Sequence, residues 1–145
     1  MARLAAYFDT TVLVKRYARE SGSDRAVFLM RRNKVISAAT APLEMLSAVR
    51  RKLATAELET KAYNAILKRL ELERGKWELV TLSPEILHTA EEIVCNHNIR
   101  TLDAIHLACA TMTQSHLSDR LPFITSDSAQ RDAALKLGLE VVWVQ

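Results

Sequence analysis

Cysteine is scarce in this sequence. Cys95 and Cys109 are the only two, which gives no disulfide framework and fits an expected reducing, cytoplasmic setting. Glycine and proline, three of each, are too rare for a loop-rich or collagen-like chain. No apolar run approaches the roughly 18 residues of a membrane span, so no membrane association is expected. The first apolar run, Leu4–Phe8, stops at Asp9, far short of a signal-peptide core. Neither sign of charge dominates: 20 Lys and Arg against 17 Asp and Glu leave +3 and a pI near 9.0. So small an excess permits a polyanionic partner without requiring one. No repeat or linker divides the 145 residues, so residues 1–145 are expected to form a single domain with a substantial core.

What is present is alternation. Short apolar runs at Leu4–Phe8, Lys34–Ala38, Trp77–Leu82, Leu121–Thr125 and Glu140–Val144 read as strands. Between them, helices are expected at Val12–Arg19, Asp24–Asn33, Ala41–Ala54, Glu57–Arg74 (ended by Gly75), from Ser83-Pro84 onward, at Asp103–Met112, and at Ser128–Leu137 (closed by Gly138). Strands alternating with helices predict an α/β fold with a mainly parallel sheet covered on both faces.

In such sheets, functional groups gather beyond the carboxyl ends of the strands. Asp9 directly follows the first strand, Asp127 comes two residues after Phe123-Ile124-Thr125, and Glu44 lies in the first turn after Lys34–Ala38. Asp103 opens a later helix. Each Asp could be an ordinary helix cap. Glu44 fits that role less well. Thr40 would need Glu at 43 for a capping box, and Leu43 stands there. On the helical wheel Leu43, Leu46, Val49 and Leu53 share one side, which leaves Glu44 off the apolar stripe. Two carboxylates 4 Å apart repel by about 4 kcal/mol at an effective dielectric near 20. Four acids gathered at one edge would therefore call for a cation, and an oxygen-only donor set suits Mg²⁺ or Mn²⁺. The chemistry that follows from such a centre is hydrolysis of a phosphodiester.

Four segments carry a family resemblance: Tyr7-Phe8-Asp9-Thr10-Thr11-Val12-Leu13-Val14-Lys15, Thr40-Ala41-Pro42-Leu43-Glu44, Arg100-Thr101-Leu102-Asp103-Ala104-Ile105-His106-Leu107-Ala108 and Ile124-Thr125-Ser126-Asp127. Together and in this order they resemble PIN-domain ribonucleases, in particular VapC-type toxins of toxin–antitoxin pairs. The resemblance runs from residue 4 to residue 144. It implies a Rossmann-like three-layer α/β/α fold with a five-stranded sheet, and a Mg²⁺- or Mn²⁺-dependent endoribonuclease. It also implies that Asp9, Glu44 and Asp103 hold metal, with Asp127 as the more variable fourth acid. Thr11 stands where the family often has Ser, and Thr125 matches the Thr of its last motif. The expected partners are an RNA substrate, a small cognate VapB-like antitoxin and a second copy of the chain.

Thr11 and Thr125 are thus candidates for substrate contact, and Arg50 and Arg51 for gripping the RNA backbone. His106, three residues after Asp103 and so on nearly the same helix face, could touch the site or simply pack against the sheet, and packing is the expected role. Cys95, His97, His106 and Cys109 lack the spacing of a zinc site, and His88 and His116 have no readable role. Two rival readings remain at this stage. One is an aspartyl-phosphate phosphotransferase of the haloacid dehalogenase type, although the usual second Asp is missing from Asp9-Thr10-Thr11-Val12. The other is a non-catalytic nucleic-acid-binding domain.

Overall fold

The computed structural model describes residues 3–145. Five strands, β1 (Ala5–Phe8), β2 (Lys34–Ala38), β3 (Glu78–Val80), β4 (Phe123–Thr125) and β5 (Val141–Trp143), form one sheet in the order β3-β2-β1-β4-β5. Every pairing is parallel, with Ala6 opposite Val35 and Phe8 opposite Ile124 at the centre. β1 is continuously apolar because both of its faces are covered. Ala6 and Phe8 point into one core, Tyr7 into the other.

The first core lies under α1 (Thr10–Tyr17), α2 (Ser23–Arg32), α3 (Ala41–Ala54) and α4 (Thr60–Glu73). The second lies under α5 (Pro84–Asn96), α6 (Thr101–Ser115) and α7 (Ser128–Lys136). This is the expected three-layer arrangement. Each large apolar side chain that these cores close over contributes roughly 1.5–3 kcal/mol. Among the described residues, no helix is long and apolar enough to cross a membrane.

Local chemistry explains where the helices start. Asp9, Ser83 and Asp127 each accept from a backbone N–H of the helix they precede, and Pro84 takes the first position of α5. Gly22, before α2, has φ +87°, and a Cβ there would come within 2.0 Å of the Gln145 carbonyl oxygen. Only glycine fits that approach.

Several expectations are corrected. The fourth helix begins at Thr60, not Glu57, because Ala56 turns the chain at φ 59°. Gly75 lies inside a 3₁₀ turn (Arg74–Lys76) and is not a left-handed cap. Asp103 is the third residue of α6 and not its start, and the cap position falls on Arg100. Leu43 is 70% exposed. The buried stripe of α3 is instead Pro42, Met45 and Val49, so the first turn of α3 presents Leu43 and Glu44 beyond the edge of the sheet.

Candidate active site

The strand order reverses between β1 and β4, which opens a crevice at their carboxyl ends. Asp9 sits there, fully buried. Oδ1 accepts from the Thr11 hydroxyl and the Val12 N–H, and Oδ2 accepts from the Thr125 hydroxyl and Gln130 Nε2. Asp9 is therefore both a helix cap and a site residue. Burial pushes its carboxyl up to about 6, against the opposing pull of His106, Thr11, Thr125 and the Val12 amide. Thr125 is itself fully buried, with its hydroxyl spent on Asp9. Thr11 also accepts from the Ser126 N–H at 3.0 Å, tying the start of α1 to the end of β4.

Gln130 joins two of the acids. Its Nε2 donates to Asp9 Oδ2 at 2.7 Å and to Asp103 Oδ1 at 3.1 Å. Asp103 and Asp127 flank the mouth, with Arg100 Nε 3.5 Å from Asp103 and Arg100 Nη2 3.9 Å from Asp127. Burial raises the Asp103 carboxyl, and repulsion from Asp127 raises it further.

Glu44 reaches the same mouth from α3. Its carboxylate accepts from Thr40 at 2.8 Å and lies 3.1 and 3.2 Å from His106 Nε2. A carboxylate only accepts, so Nε2 carries the hydrogen. Burial holds the Tyr7 hydroxyl far above its usual value, so it keeps its proton. On its other side, His106 Nδ1 meets the Tyr7 hydroxyl at 2.8 Å. Burial alone would raise the Glu44 carboxyl. The hydrogen bonds and charge of His106, with help from Thr40 and Thr10, outweigh it and hold Glu44 below its usual value. Of the two roles open to His106, the structure shows the contact with the site, since its ring is committed to the Glu44 carboxylate.

The mouth opens into a groove of about 920 Å³ lined by α1, α3 and the first turn of α6. Arg51 lines it, donating to Ser47 at 2.8 Å. Arg50 does not line it. Its guanidinium lies 5.9 Å from the Tyr63 ring, on the α4 side of α3. Lys15 and Arg100, neither singled out in the sequence, line the groove as well. Lys15 was legible in principle, being one helical turn beyond Thr11 on the same face.

The four acids reach one edge, but not as a closed cage. Among the described residues, no three Asp, Glu, His or Cys side chains stand close enough to hold an ion by themselves. Mutual repulsion turns each carboxylate toward donors of its own: the Thr pair and Gln130, His106, and Arg100. The donor set nonetheless fits a hard divalent cation. Every candidate atom is oxygen, and two buried polar atoms at the crevice, Gln130 Oε1 and Ser126 Oγ, lack a protein partner among the described residues. Mg²⁺ in particular binds through a few carboxylates and keeps several waters, so a closed protein cage is not required. The geometry opposes the phosphotransferase reading. Residue 11, where that reading needs a second Asp, is a Thr whose hydroxyl is spent on Asp9.

Comparison with known proteins agrees with this architecture. The family model for the PIN domain matches residues 6–136. Ribonuclease VapC46 of Mycobacterium tuberculosis (strain ATCC 25618 / H37Rv) is 34% identical over 139 residues, covering 95% of this chain and 96% of that protein. Among solved structures, VapBC2 from Rickettsia felis bound to a DNA fragment from their promoter superposes with a TM-score of 0.66 at 10% identity, over 98% of this chain and 100% of that one. FitAcB from Neisseria gonorrhoeae gives a TM-score of 0.63 at 17% identity, over 94% and 95%. At those identities the solved structures speak for the fold alone, whereas the family match and the Mycobacterium relative speak for descent: the chain belongs to the PIN-domain family, on its VapC-type ribonuclease branch.

Proposed function

We propose that this chain is a divalent-metal-dependent endoribonuclease and the toxin of a toxin–antitoxin pair. The observation that carries this reading is the convergence of Asp9, Glu44, Asp103 and Asp127 from four parts of the chain on one end of a groove. Asp9, Asp103, Glu44 and Asp127 would hold Mg²⁺ or Mn²⁺, directly or through water. When bound, such a cation lowers the pKa of a water and offsets charge on the phosphoryl group.

The chain's own residues divide the remaining work. Thr11 and Thr125 hold Asp9 by both oxygens. Because Asp9 is buried and its carboxyl raised, it gains more from a nearby cation than an exposed carboxylate would. Glu44, kept ionised by its bonds to His106 and Thr40, stays a carboxylate able to hold a cation. Gln130 sets the spacing of Asp9 and Asp103. Arg51 offers a guanidinium to the RNA backbone.

The antitoxin follows from kinship and chemistry together. The Rickettsia neighbour is described as VapBC2 bound to DNA from their promoter. A small antitoxin supplying an Arg or Lys to these carboxylates would compete with the cation, and Arg100 already takes such a position from within the chain. A homodimer and a cytoplasmic location complete the proposal. Incubating the protein with total RNA and mapping new 5′ ends tests it. Discrete new ends bearing a 5′-phosphate are expected with Mg²⁺ or Mn²⁺ and not with chelator. Folded, cation-supplied protein that makes none would refute it.

A further inference from the structure

The groove has a second end of opposite charge. Thr11 and Lys15 share one face of α1 and are separated by about 6 Å of helix rise, so Lys15 lines the groove a turn away from the acids. Its side chain is only 10% exposed. The ammonium donates to the Ser21 carbonyl at 2.7 Å and to Glu20 Oε1 at 3.1 Å, which leaves one of its three N–H groups over. Glu20 alone would cancel the charge of Lys15, but Lys52 Nζ takes the other oxygen at 3.2 Å. Two ammonium groups thus share one carboxylate. Glu57, the other acid near Lys52, is 3.7 Å from it with a side chain 60% exposed. Arg51 faces the same end, bonded to the neutral hydroxyl of Ser47. Between this end and the acids, the walls are small and uncharged: Val14, Ser47 and Ala48.

A mostly buried lysine is costly to fold around. Clamping the turn after α1 accounts for its two bonds, but not for a cationic end that Glu20 fails to neutralise. We propose that Lys15 and Arg51 form a binding subsite for a non-scissile phosphate of the RNA strand, while a neighbouring phosphate lies at the acids. Glu20 also lines this end, but its one carboxylate serves both Lys15 and Lys52, so with Arg51 the subsite keeps a positive excess. This inference rests on the ribonuclease reading and adds to it. Carboxylates repel a polyanion, and the subsite supplies the compensating grip. It also sets a length requirement, because the substrate must extend past the cleaved bond on the Lys15 side.

The test uses a short RNA with one cleavage site and Mn²⁺, in versions where each flanking phosphate in turn is an uncharged methylphosphonate. Wild-type protein, Lys15→Met and Arg51→Gln are compared. Neutralising one particular flanking phosphate should cost the wild type about tenfold in kcat/KM, mainly through KM, as expected for one charge-assisted contact. Both variants should lose a similar factor on the unmodified RNA and little more when that phosphate is neutralised. In chelator, RNA binding followed by fluorescence anisotropy should show a log–log salt slope shallower by about 0.7 in each variant. Arg51 is exposed and, among the described residues, its guanidinium bonds only to Ser47, so its variant keeps the test decisive if Lys15→Met does not fold. Variants that stay as sensitive as the wild type at every flanking phosphate would overturn the subsite and leave the nuclease standing. A wild type that cleaves no RNA would overturn both.

Discussion

Asp9 is the residue on which the site turns. Its carboxyl is fully buried and satisfied only by neutral donors, and burial raises it from 3.8 to about 6. Between those values the folded chain binds a proton that the unfolded chain does not, so without metal, stability falls as pH rises through this range. The effect is on the order of 3 kcal/mol. Chemical denaturation with chelator at pH 4.5 and pH 7 should show about 2 kcal/mol of this loss, and Mn²⁺ should reduce it. Asp9→Asn should remove the same dependence. Asn is a good cap, and the unpartnered Oε1 of Gln130 can turn to meet its new amide. That variant should be at least as stable as wild type at pH 7, yet inactive. The acids themselves were legible in the sequence, each standing at a strand end or helix start. Gln130 was not, and for His106 the spacing to Asp103 left site contact and packing both open. Gln130 reads as one more polar position in Ser128-Ala129-Gln130, and nothing local decides for His106, because their partners lie 121 and 62 residues away. Arg50 and Arg51 look equivalent in sequence, and only the packing of α4 against α3 separates them.

At the scale of elements, α1 forms the floor of the groove and is pinned from outside it. Arg16 donates twice to Glu73 at the end of α4, at 2.8 and 3.0 Å, and the Tyr17 hydroxyl donates at 2.8 Å. Glu73→Ala leaves the guanidinium and phenol without this acceptor and should cost about 1.5–3 kcal/mol. The expected outcome is a lower midpoint in urea with kcat unchanged at temperatures where the chain is folded. A loss of kcat instead would mean that α1 is not held independently of the acids. Element order and type followed from periodicity, because continuous apolar runs and amphipathic stripes survive without knowledge of the fold. The element ends did not. The start of α4 depends on the left-handed turn at Ala56, and exposure of Leu43 depends on how far α3 projects past the sheet. Neither leaves a local signal.

For the whole molecule, a groove acidic at one end and cationic at the other suits a polyanion that is cut at the first end and gripped at the second. A nuclease of this kind harms its host unless restrained. The chain expressed alone should therefore halt growth, and co-expression with a neighbouring small antitoxin should restore it. Unimpaired growth with demonstrably folded protein would contradict the toxin role. The central claim is narrower: the carboxylates at the β1/β4 crevice are a cation-dependent RNA-cleaving centre. The most direct test compares wild type, Asp9→Asn and Asp103→Asn on one end-labelled RNA at a fixed Mn²⁺ concentration, with circular dichroism confirming that all three are folded. The account predicts cleavage by the wild type that stops in chelator and falls by at least about 100-fold in each variant, the scale of losing a catalytic electrostatic group. Undiminished cleavage by either folded variant, or by the wild type in chelator, would contradict it.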